Sequence, residues 1–264
     1  MRYCRFLEPN GIHYGFVETK AGHETVFPFG YGPPEEHWAL SLTEPRSLQE
    51  LRLLPPVRPS KIVCVGRNYR EHAKELGNPV PEELLTFLKP PSTVIGPGER
   101  IVRPSMSQRV DHEGELAIVI GKTCRNLRRD DDVRPYIRGF TCANDVTARD
   151  IQKKDTQWTR GKGFDTFCPV GPIVTDEIDP WAGVQVQTRV NDQLRQDANT
   201  RQFIFSIEEI LRYITRVMTL FPGDLIPTGT PAGVGQLQAG DTVEVRVEGI
   251  GSLANPVVDE KLDV

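Results

Sequence analysis

The chain has 264 residues, of which 38% are hydrophobic and 26% are charged, a composition typical of a soluble globular protein. Its formal net charge of −4 disfavours nucleic acid or an anionic membrane as the main partner. No apolar run has the length of a signal peptide core or of a membrane span. The five cysteines lie far apart without C-x-x-C spacing, which favours reduced thiols. We therefore expect a cytoplasmic protein without nucleic-acid or membrane partners.

The N-terminal part of the chain predicts a small α+β module over residues 1–56. A hairpin is predicted from strands at 2–7 and 12–17, joined by a turn at 8–11 that contains Pro9, Asn10 and Gly11. A short helix is predicted at 48–53. The three prolines at 55, 56 and 59 make residues 55–59 the best candidate for a domain boundary. Residues 57–264 then form the second domain.

The second domain predicts mainly strands, joined by a few helices. The predicted strands are 61–65, 84–88, 111–121, 136–143, 169–175, 184–190, 224–228, 242–248 and 253–259. One helix is predicted at 69–76, and a longer one at 207–219 begins with a capping box of Ser206 and Glu209. Its apolar stripe continues to Val217 and Met218. We expect a mainly β fold with some α.

Three carboxylates predict a cation site. In the strand at 111–121, Glu113 and Glu115 are two residues apart and share one face. Carboxylates placed in this way repel each other unless water, a proton or a cation separates them. Asp145, at the end of a later strand, adds a third carboxylate, although such a residue by itself more often begins a helix. Oxygen ligands without cysteine or histidine favour Mg²⁺, Mn²⁺ or Ca²⁺ over Zn²⁺.

A possible general base comes from His72 and Glu75, which lie at i and i+3 on one helix face. A glutamate that accepts a hydrogen bond from histidine fixes its tautomer and raises its basicity, so that the pair deprotonates water. The alternative for an isolated pair of this kind is a surface ion pair.

Further polar residues follow the proposed metal site. Asp145, Arg149 and Gln152 have i, i+4, i+7 spacing along a predicted helix, which Thr147 and Asp150 open as a capping-box-like pair. Lys162 lies in a predicted flexible loop between glycines. Arginine, glutamine and lysine are suited to hold a carboxylate and to stabilise an enolate oxygen. The glycine-rich turn at 228–235 offers N–H groups and hydroxyls to an anion.

Several sequence blocks, in this order, resemble the fumarylacetoacetate hydrolase family. The blocks are Gly66-Arg67-Asn68-Tyr69, His72-Ala73-x-Glu75, Phe87-Leu88-Lys89-Pro90, Glu113-x-Glu115-Leu116-Ala117, Asn144–Asp150, Lys162–Asp165, Pro169-x-Gly171-Pro172 and Thr228–Gly235. They cover roughly residues 60–260. The contiguous H-x-x-E is similar to the shorter bacterial and mitochondrial members. The resemblance implies a catalytic domain with a mixed β-sandwich roll, assembled as a homodimer, while residues 1–56 resemble a variable N-terminal extension.

The resemblance also implies a role for each site residue. The Mg²⁺ ligands match Glu113, Glu115 and Asp145, and the dyad of a lid helix that orders over substrate matches His72 and Glu75. The enolate-stabilising lysine matches Lys162, and the residues near the substrate match Arg149, Gln152 and Thr230.

The expected activity is Mg²⁺-dependent hydrolysis of a C–C bond in a 2-oxo acid of the acylpyruvate type, such as fumarylpyruvate or acetylpyruvate. In that mechanism His72 and Glu75 activate a water, and Lys162 stabilises the departing enolate. Decarboxylation of oxaloacetate and isomerisation of 2-hydroxyhepta-2,4-diene-1,7-dioate or 5-carboxymethyl-2-hydroxymuconate use the same residues, so these alternatives stay open. A non-enzymatic cation-binding module is a remote alternative, since it leaves His72, Glu75 and Lys162 without a role.

Overall fold

The computed structural model describes residues 1–20, 22–34 and 44–261. Over these residues strands dominate, and the few helices are short, which confirms the predicted mainly β fold with some α. None of the described helices combines the length and the apolar content that crossing a bilayer requires.

The strands, in chain order, are β1 (Arg2–Glu8), β2 (Gly11–Lys20), β3 (His23–Gly30), β4 (Arg46–Ser47), β5 (Arg52–Leu54), β6 (Ile62–Gly66), β7 (Leu85–Lys89), β8 (Val94–Ile95), β9 (Ile101–Arg103), β10 (Val110–His112), β11 (Gly114–Ile120), β12 (Ile137–Asn144), β13 (Thr147–Ala148), β14 (Cys168–Thr175), β15 (Gln185–Val190), β16 (Gln193–Asn199), β17 (Leu225–Pro227), β18 (Gly235–Gln236), β19 (Thr242–Val247) and β20 (Gly251–Asp259). The α-helices are α1 (Arg70–Glu75), α2 (Arg149–Lys154), α3 (Thr159–Lys162) and α4 (Ile207–Val217).

Three sheets hold the described strands together. The largest has the order β4-β3-β2-β1-β14-β12-β11-β17-β6-β7, with β5 paired to β1 and β8 paired to β14. A second sheet has the order β16-β15-β19-β20-β9, and its strands β15, β19 and β20 contact β11, β12 and β14 of the first. A small third sheet has the order β13-β10-β18, and its strand β10 directly precedes β11 of the largest sheet in the chain. The two larger sheets therefore form a sandwich.

Strand β11 shows how the sandwich divides its core. Leu116 and Ile118 lie on the face that packs with the second sheet and α4, whereas Ala117 and Val119 belong to a separate apolar cluster on the other face. This alternation is the one that the sequence predicts.

All five cysteines are buried and free, as expected for reduced thiols.

The N-terminal hairpin is confirmed, but the neighbouring predicted helix is wrong. Residues 48–53 form a 3₁₀ turn at Leu48–Glu50 and then enter β5, because Arg52–Leu54 pairs with β1. The described part of residues 1–56 contains no α-helix, while residues 21 and 35–43 lie outside the described chain. Strand β1 also pairs with β14, so the N-terminal strands continue the large sheet. The division at residue 56 stays a prediction.

Helix α4 confirms its predicted capping box, since the Ser206 hydroxyl accepts from the Glu209 N–H and the Glu209 carboxylate accepts from the Ser206 N–H. Val217 departs from the predicted buried stripe. Ile214 is 1% exposed and Met218 packs partly buried against the core, whereas Val217 is 67% exposed at the end of the helix.

The capping pair predicted from Thr147 and Asp150 is wrong. Thr147 lies in β13, and its hydroxyl donates to the Asp145 carbonyl. Asp150 instead accepts from the Ser107 hydroxyl and the Gln108 N–H, so it ties α2 to the chain before β10.

Candidate active site and metal centre

Glu113 lies at a break between two strands. The predicted continuous strand at 111–121 is interrupted there, because β10 ends at His112 and β11 begins at Gly114. The Glu113 N–H donates to the Asn144 side chain (2.9 Å), and its carbonyl accepts from the Asp145 N–H (2.8 Å). These bonds fix the two acidic residues side by side, although they are 32 positions apart in the sequence.

The structure brings the three predicted carboxylates together. Ligand oxygens of Glu113, Glu115 and Asp145 all lie within 4.8 Å of one another, and the residues are 4%, 1% and 1% exposed. Glu115 follows Glu113 by two positions and keeps the same face, and Asp145 arrives from the end of β12. Such a buried cluster of oxygen donors fits a hard divalent cation.

The surroundings shift the pKa values of Glu113 and Glu115 in opposite directions. Burial would raise the pKa of Glu113, but Lys162 and Arg149 outweigh this effect and hold the pKa well below its usual value. Burial raises the pKa of Glu115 well above its usual value, and the neighbouring Asp145 and Glu113 raise it further. Glu115 therefore favours either a proton or an added cation, and a divalent ion would supply positive charge beside it.

Lys162 is held rigidly, in contrast to the flexible loop predicted for it. It ends α3 and is 2% exposed. Its Nζ contacts Glu113 Oε2 at 2.8 Å and Asp145 Oδ2 at 2.5 Å. Burial lowers the pKa of Lys162, but Asp145 and Glu113 raise it by more, so the amine stays protonated.

The predicted single helix from Asp145 to Gln152 is wrong, because α2 begins only at Arg149. Arg149 and Gln152 still meet: the guanidinium donates to Gln152 Oε1 (2.7 Å). The same guanidinium contacts Glu113 and donates to Asp111 Oδ2 (2.9 Å). Arg149 therefore holds the Asp111 and Glu113 carboxylates in place.

His72 and Glu75 form the predicted pair within α1. His72 is 4% exposed, and its Nδ1 lies 3.2 Å from Glu75 Oε2. The other Glu75 oxygen accepts the Gly233 N–H at 3.0 Å. Burial lowers the pKa of His72 below its usual value despite the opposing effects of Glu113 and Glu75, so the imidazole is neutral near pH 7.

The glycine-rich turn at 228–235 binds the site's own acids. The Gly229 N–H donates to Glu115 Oε2 (2.7 Å), as the Gly233 N–H does to Glu75. The Thr230 hydroxyl donates to the Gly114 carbonyl (2.9 Å) and accepts from Gln196 Nε2 (2.7 Å). Gly229 has φ +101°, and a Cβ there would lie 2.6 Å from the Asn68 Cβ, so this close approach requires glycine.

Lys89 was missed as a site residue by the sequence reasoning, which used it only as part of a motif. Its Nζ is fully buried and lies 2.8 Å from Asp145 Oδ1. It also donates to the carbonyls of Val146, Lys162 and Phe167, at 3.1, 2.6 and 2.9 Å. A charged residue that ends an otherwise apolar strand was the available signal. Lys89 ties together the segments that carry Asp145 and Lys162.

One cavity of about 330 Å³ unites the site. Eight of the nine predicted site residues line it, and Glu75, the ninth, reaches it through His72. The cavity wall also contains Phe87, Trp158 and Arg67, which the sequence reasoning did not place in the site.

Comparison with known proteins gives two consistent matches along the sequence. Residues 61–258 match the family described as fumarylacetoacetate (FAA) hydrolase, C-terminal. Residues 1–56 match the family described as Rv2993c-like, N-terminal.

Similar proteins with named activities differ in those activities. A mitochondrial oxaloacetate tautomerase of Bos taurus is 43% identical over 226 residues, which cover 81% of this chain and 71% of the tautomerase. The crystal structure of 2-hydroxyhepta-2,4-diene-1,7-dioate isomerase from Mycobacterium marinum is 42% identical with a TM-score of 0.88, covering 99% of this chain and 100% of the isomerase. A fumarylacetoacetate hydrolase from psychrophilic Exiguobacterium antarcticum is 37% identical with a TM-score of 0.83, covering 98% and 100%. These structures confirm the fold that the resemblance implied.

Proposed function

Because the chain belongs to the fumarylacetoacetate hydrolase family, we propose that it interconverts the enol and keto forms of a 2-oxo dicarboxylic acid with the help of Mg²⁺. The observation that carries the proposal is the placement of His72, held by Glu75, and of the buried carboxylate cluster on one cavity. The names of the bovine tautomerase and the mycobacterial isomerase support this reaction type, since both name reactions in which a proton moves beside a 2-oxo or 2-hydroxy group.

Glu113, Glu115 and Asp145 would hold the metal. Their donor set contains oxygen alone, and the raised pKa of Glu115, caused first by burial and then by its acidic neighbours, marks the position that needs a cation. When bound, Mg²⁺ would supply Lewis-acid polarisation of the substrate's 2-oxo group. Mn²⁺ and Ca²⁺ are alternatives with the same ligand preference, and activity measured with each ion would rank them.

The proton transfer falls to His72. With Nδ1–H donating to Glu75, the lone pair on Nε2 takes a proton from the carbon beside the 2-oxo group, and the C–H electron pair forms the enolate. Returning the proton to oxygen, or to another carbon of a conjugated chain, completes tautomerisation or isomerisation. Lys162, protonated and buried beside Glu113 and Asp145, places a positive charge where the enolate oxygen develops its negative charge.

Hydrolysis of an acylpyruvate, the activity expected first from the sequence, is the second candidate. The observation in its favour is the anchoring of Glu75 between His72 and Gly233, which holds the pair in the geometry that activates water. The similarity to the Exiguobacterium hydrolase supports it as well.

A turnover panel with Mg²⁺ tests the proposal. The substrates are enol-oxaloacetate, 2-hydroxyhepta-2,4-diene-1,7-dioate, fumarylpyruvate and acetylpyruvate. Loss of the enol or shift of the double bond without C–C cleavage supports the first candidate. Release of pyruvate with a higher kcat/KM contradicts it in favour of hydrolysis, and release of CO₂ from oxaloacetate points to decarboxylation.

A matched pair of variants assigns the activity to the site. His72→Gln should lose turnover by about 10²–10⁴-fold, the usual contribution of a positioned acid–base group. Glu71→Gln, on the same helix but with a side chain that is 73% exposed, should keep the turnover.

We also propose a cytoplasmic homodimer, as the family resemblance implies. Light scattering should then give about twice the chain mass of 29.7 kDa.

A further inference from the structure

We infer that Arg67 forms a subsite for a second carboxylate, so that the cavity selects 2-oxo acids that are charged at both ends. The inference rests on the proposed function, because it takes the other end of the substrate to lie at the carboxylate cluster and Lys162. It goes beyond that function in naming the residue that selects the diacid.

Arg67 is held in an unusual backbone conformation. It has φ +58°, in the left-handed region that side chains with a Cβ rarely adopt. The next residue, Asn68, fixes this turn: its Nδ2 donates to the Thr228 carbonyl (2.8 Å) and its Oδ1 accepts from the Phe205 N–H (2.7 Å). Strained residues that their surroundings hold in place cluster at functional sites. Here the turn directs a guanidinium to the cavity wall.

An aromatic wall connects Arg67 with Lys162. The Lys162 Nζ lies 4.9 Å from the centre of the Phe87 ring, and the Phe87 and Trp158 ring centres are 5.3 Å apart. The Arg67 Cζ lies 6.0 Å from the Trp158 ring centre. All four residues line the cavity. The wall therefore carries one cation at each end, which suits a flat molecule with an anionic group at each end.

The two cations differ in their protein partners. Lys162 contacts two carboxylates, whereas the Arg67 guanidinium forms no hydrogen bond or ion pair with any residue of the described chain. Lys153, exposed and also on the cavity wall, adds positive charge. Asp155, the acid of the cavity wall that lies outside the carboxylate cluster, accepts two hydrogen bonds from Arg160, at 2.8 and 2.6 Å.

The chemistry of Arg67 favours a carboxylate ligand. A guanidinium offers a planar fork of donors that matches the two oxygens of a carboxylate. Arg67 lines the cavity beside Trp158 and is only partly exposed, so its guanidinium is partly shielded from bulk solvent. A second carboxylate of the substrate would therefore be bound bidentately at this end.

Binding of two ligands of equal length tests the subsite. In the Mg²⁺-loaded protein, calorimetry compares 2-oxoglutarate with 2-oxopentanoate, which lacks the second carboxylate. We expect the wild type to bind the diacid at least about tenfold more tightly, as a charge-assisted bidentate pair allows. Arg67→Asn, which tolerates the left-handed backbone, should remove most of this preference while leaving the affinity for 2-oxopentanoate and for Mg²⁺ alone unchanged. Arg67→Lys should restore part of it.

The control is Arg70→Met, since Arg70 is exposed at the start of α1 and is absent from the cavity wall. The subsite is overturned if the wild type shows no preference for the diacid, or if Arg67→Asn weakens both ligands equally. If the preference behaves as expected but no substrate of the turnover panel reacts, the subsite stands and the proposed reaction is contradicted.

Discussion

Replacing Glu115 with glutamine removes one buried negative charge and keeps the shape of the side chain. The Gly229 N–H can still donate to the amide oxygen, as it now does to the carboxylate at 2.7 Å. Two unit charges 4.8 Å apart, the separation that bounds the cluster, repel by roughly 3 kcal/mol at an effective dielectric constant of about 20. Lys162 and partial protonation relieve some of this repulsion. We expect the metal-free variant to be more stable by about 1–2 kcal/mol, which raises Tm by roughly 2–6 °C.

The size of this stability difference depends on pH. Burial and the neighbouring Asp145 and Glu113 raise the pKa of Glu115 in the folded protein above its unfolded value. A group of this kind contributes stability below its unfolded pKa, and the contribution is lost as pH rises through its folded pKa. The advantage of glutamine should therefore grow with rising pH and disappear below about pH 4, near the unfolded pKa of a glutamate.

Mg²⁺ should reverse the order of the two proteins. A ligand at 100 times its Kd stabilises the folded state by about 2.7 kcal/mol, and Glu115→Gln removes one of the three carboxylates that we propose as ligands. Thermal melting with and without Mg²⁺, at several pH values, measures both effects. Glu71→Gln makes the same substitution at an exposed position and should change stability by about 0.5 kcal/mol or less. A lower Tm for the metal-free variant, or an unchanged Mg²⁺-induced shift, would refute the reasoning.

Substitutions at three neighbouring residues, Lys89, His72 and Lys162, test the other contacts of the site. Lys89→Met removes one of the two buried amines that contact Asp145, together with a donor to three backbone carbonyls, and should cost about 3–5 kcal/mol in urea unfolding. A loss below about 1 kcal/mol would contradict the structural role. Burial lowers the pKa of His72, so the acid-side fall of kcat/KM should lie below the ordinary histidine pKa of about 6.5. An acid limb that survives in His72→Gln would assign it to another group. Lys162→Met should lower kcat by about 10²–10³-fold without weakening the binding of Mg²⁺. An unchanged kcat would show that Lys162 has no role in the reaction.

The parts of the site that depend on local spacing were predictable from the sequence. His72 and Glu75 meet because i and i+3 share a helix face, and Glu113 and Glu115 point the same way because strand residues alternate. The Ser206 capping box followed from the same kind of short-range rule. In each case the partners lie within one helical turn or one strand repeat.

The parts that depend on long-range contacts were not predictable. Lys89 reaches the carbonyl of Phe167, 78 positions away, and the local sequence contains no sign of that contact. Gln196, on β16, reaches Thr230, and β16 itself went unpredicted because this edge strand has too few buried residues to alternate. The break at Glu113 depends on the side chain of Asn144, which the strand pattern does not show.

Exchange of the C3 hydrogens of 2-oxoglutarate with D₂O, followed by proton NMR, tests most directly whether this site removes a proton from a 2-oxo acid. Wild-type protein with Mg²⁺ should accelerate the exchange far above the rate without protein. The acceleration should disappear when Mg²⁺ is removed with a chelator, and also in the His72→Gln variant. Exchange at the wild-type rate without Mg²⁺ or in His72→Gln would contradict proton transfer by His72 at a metal-dependent site.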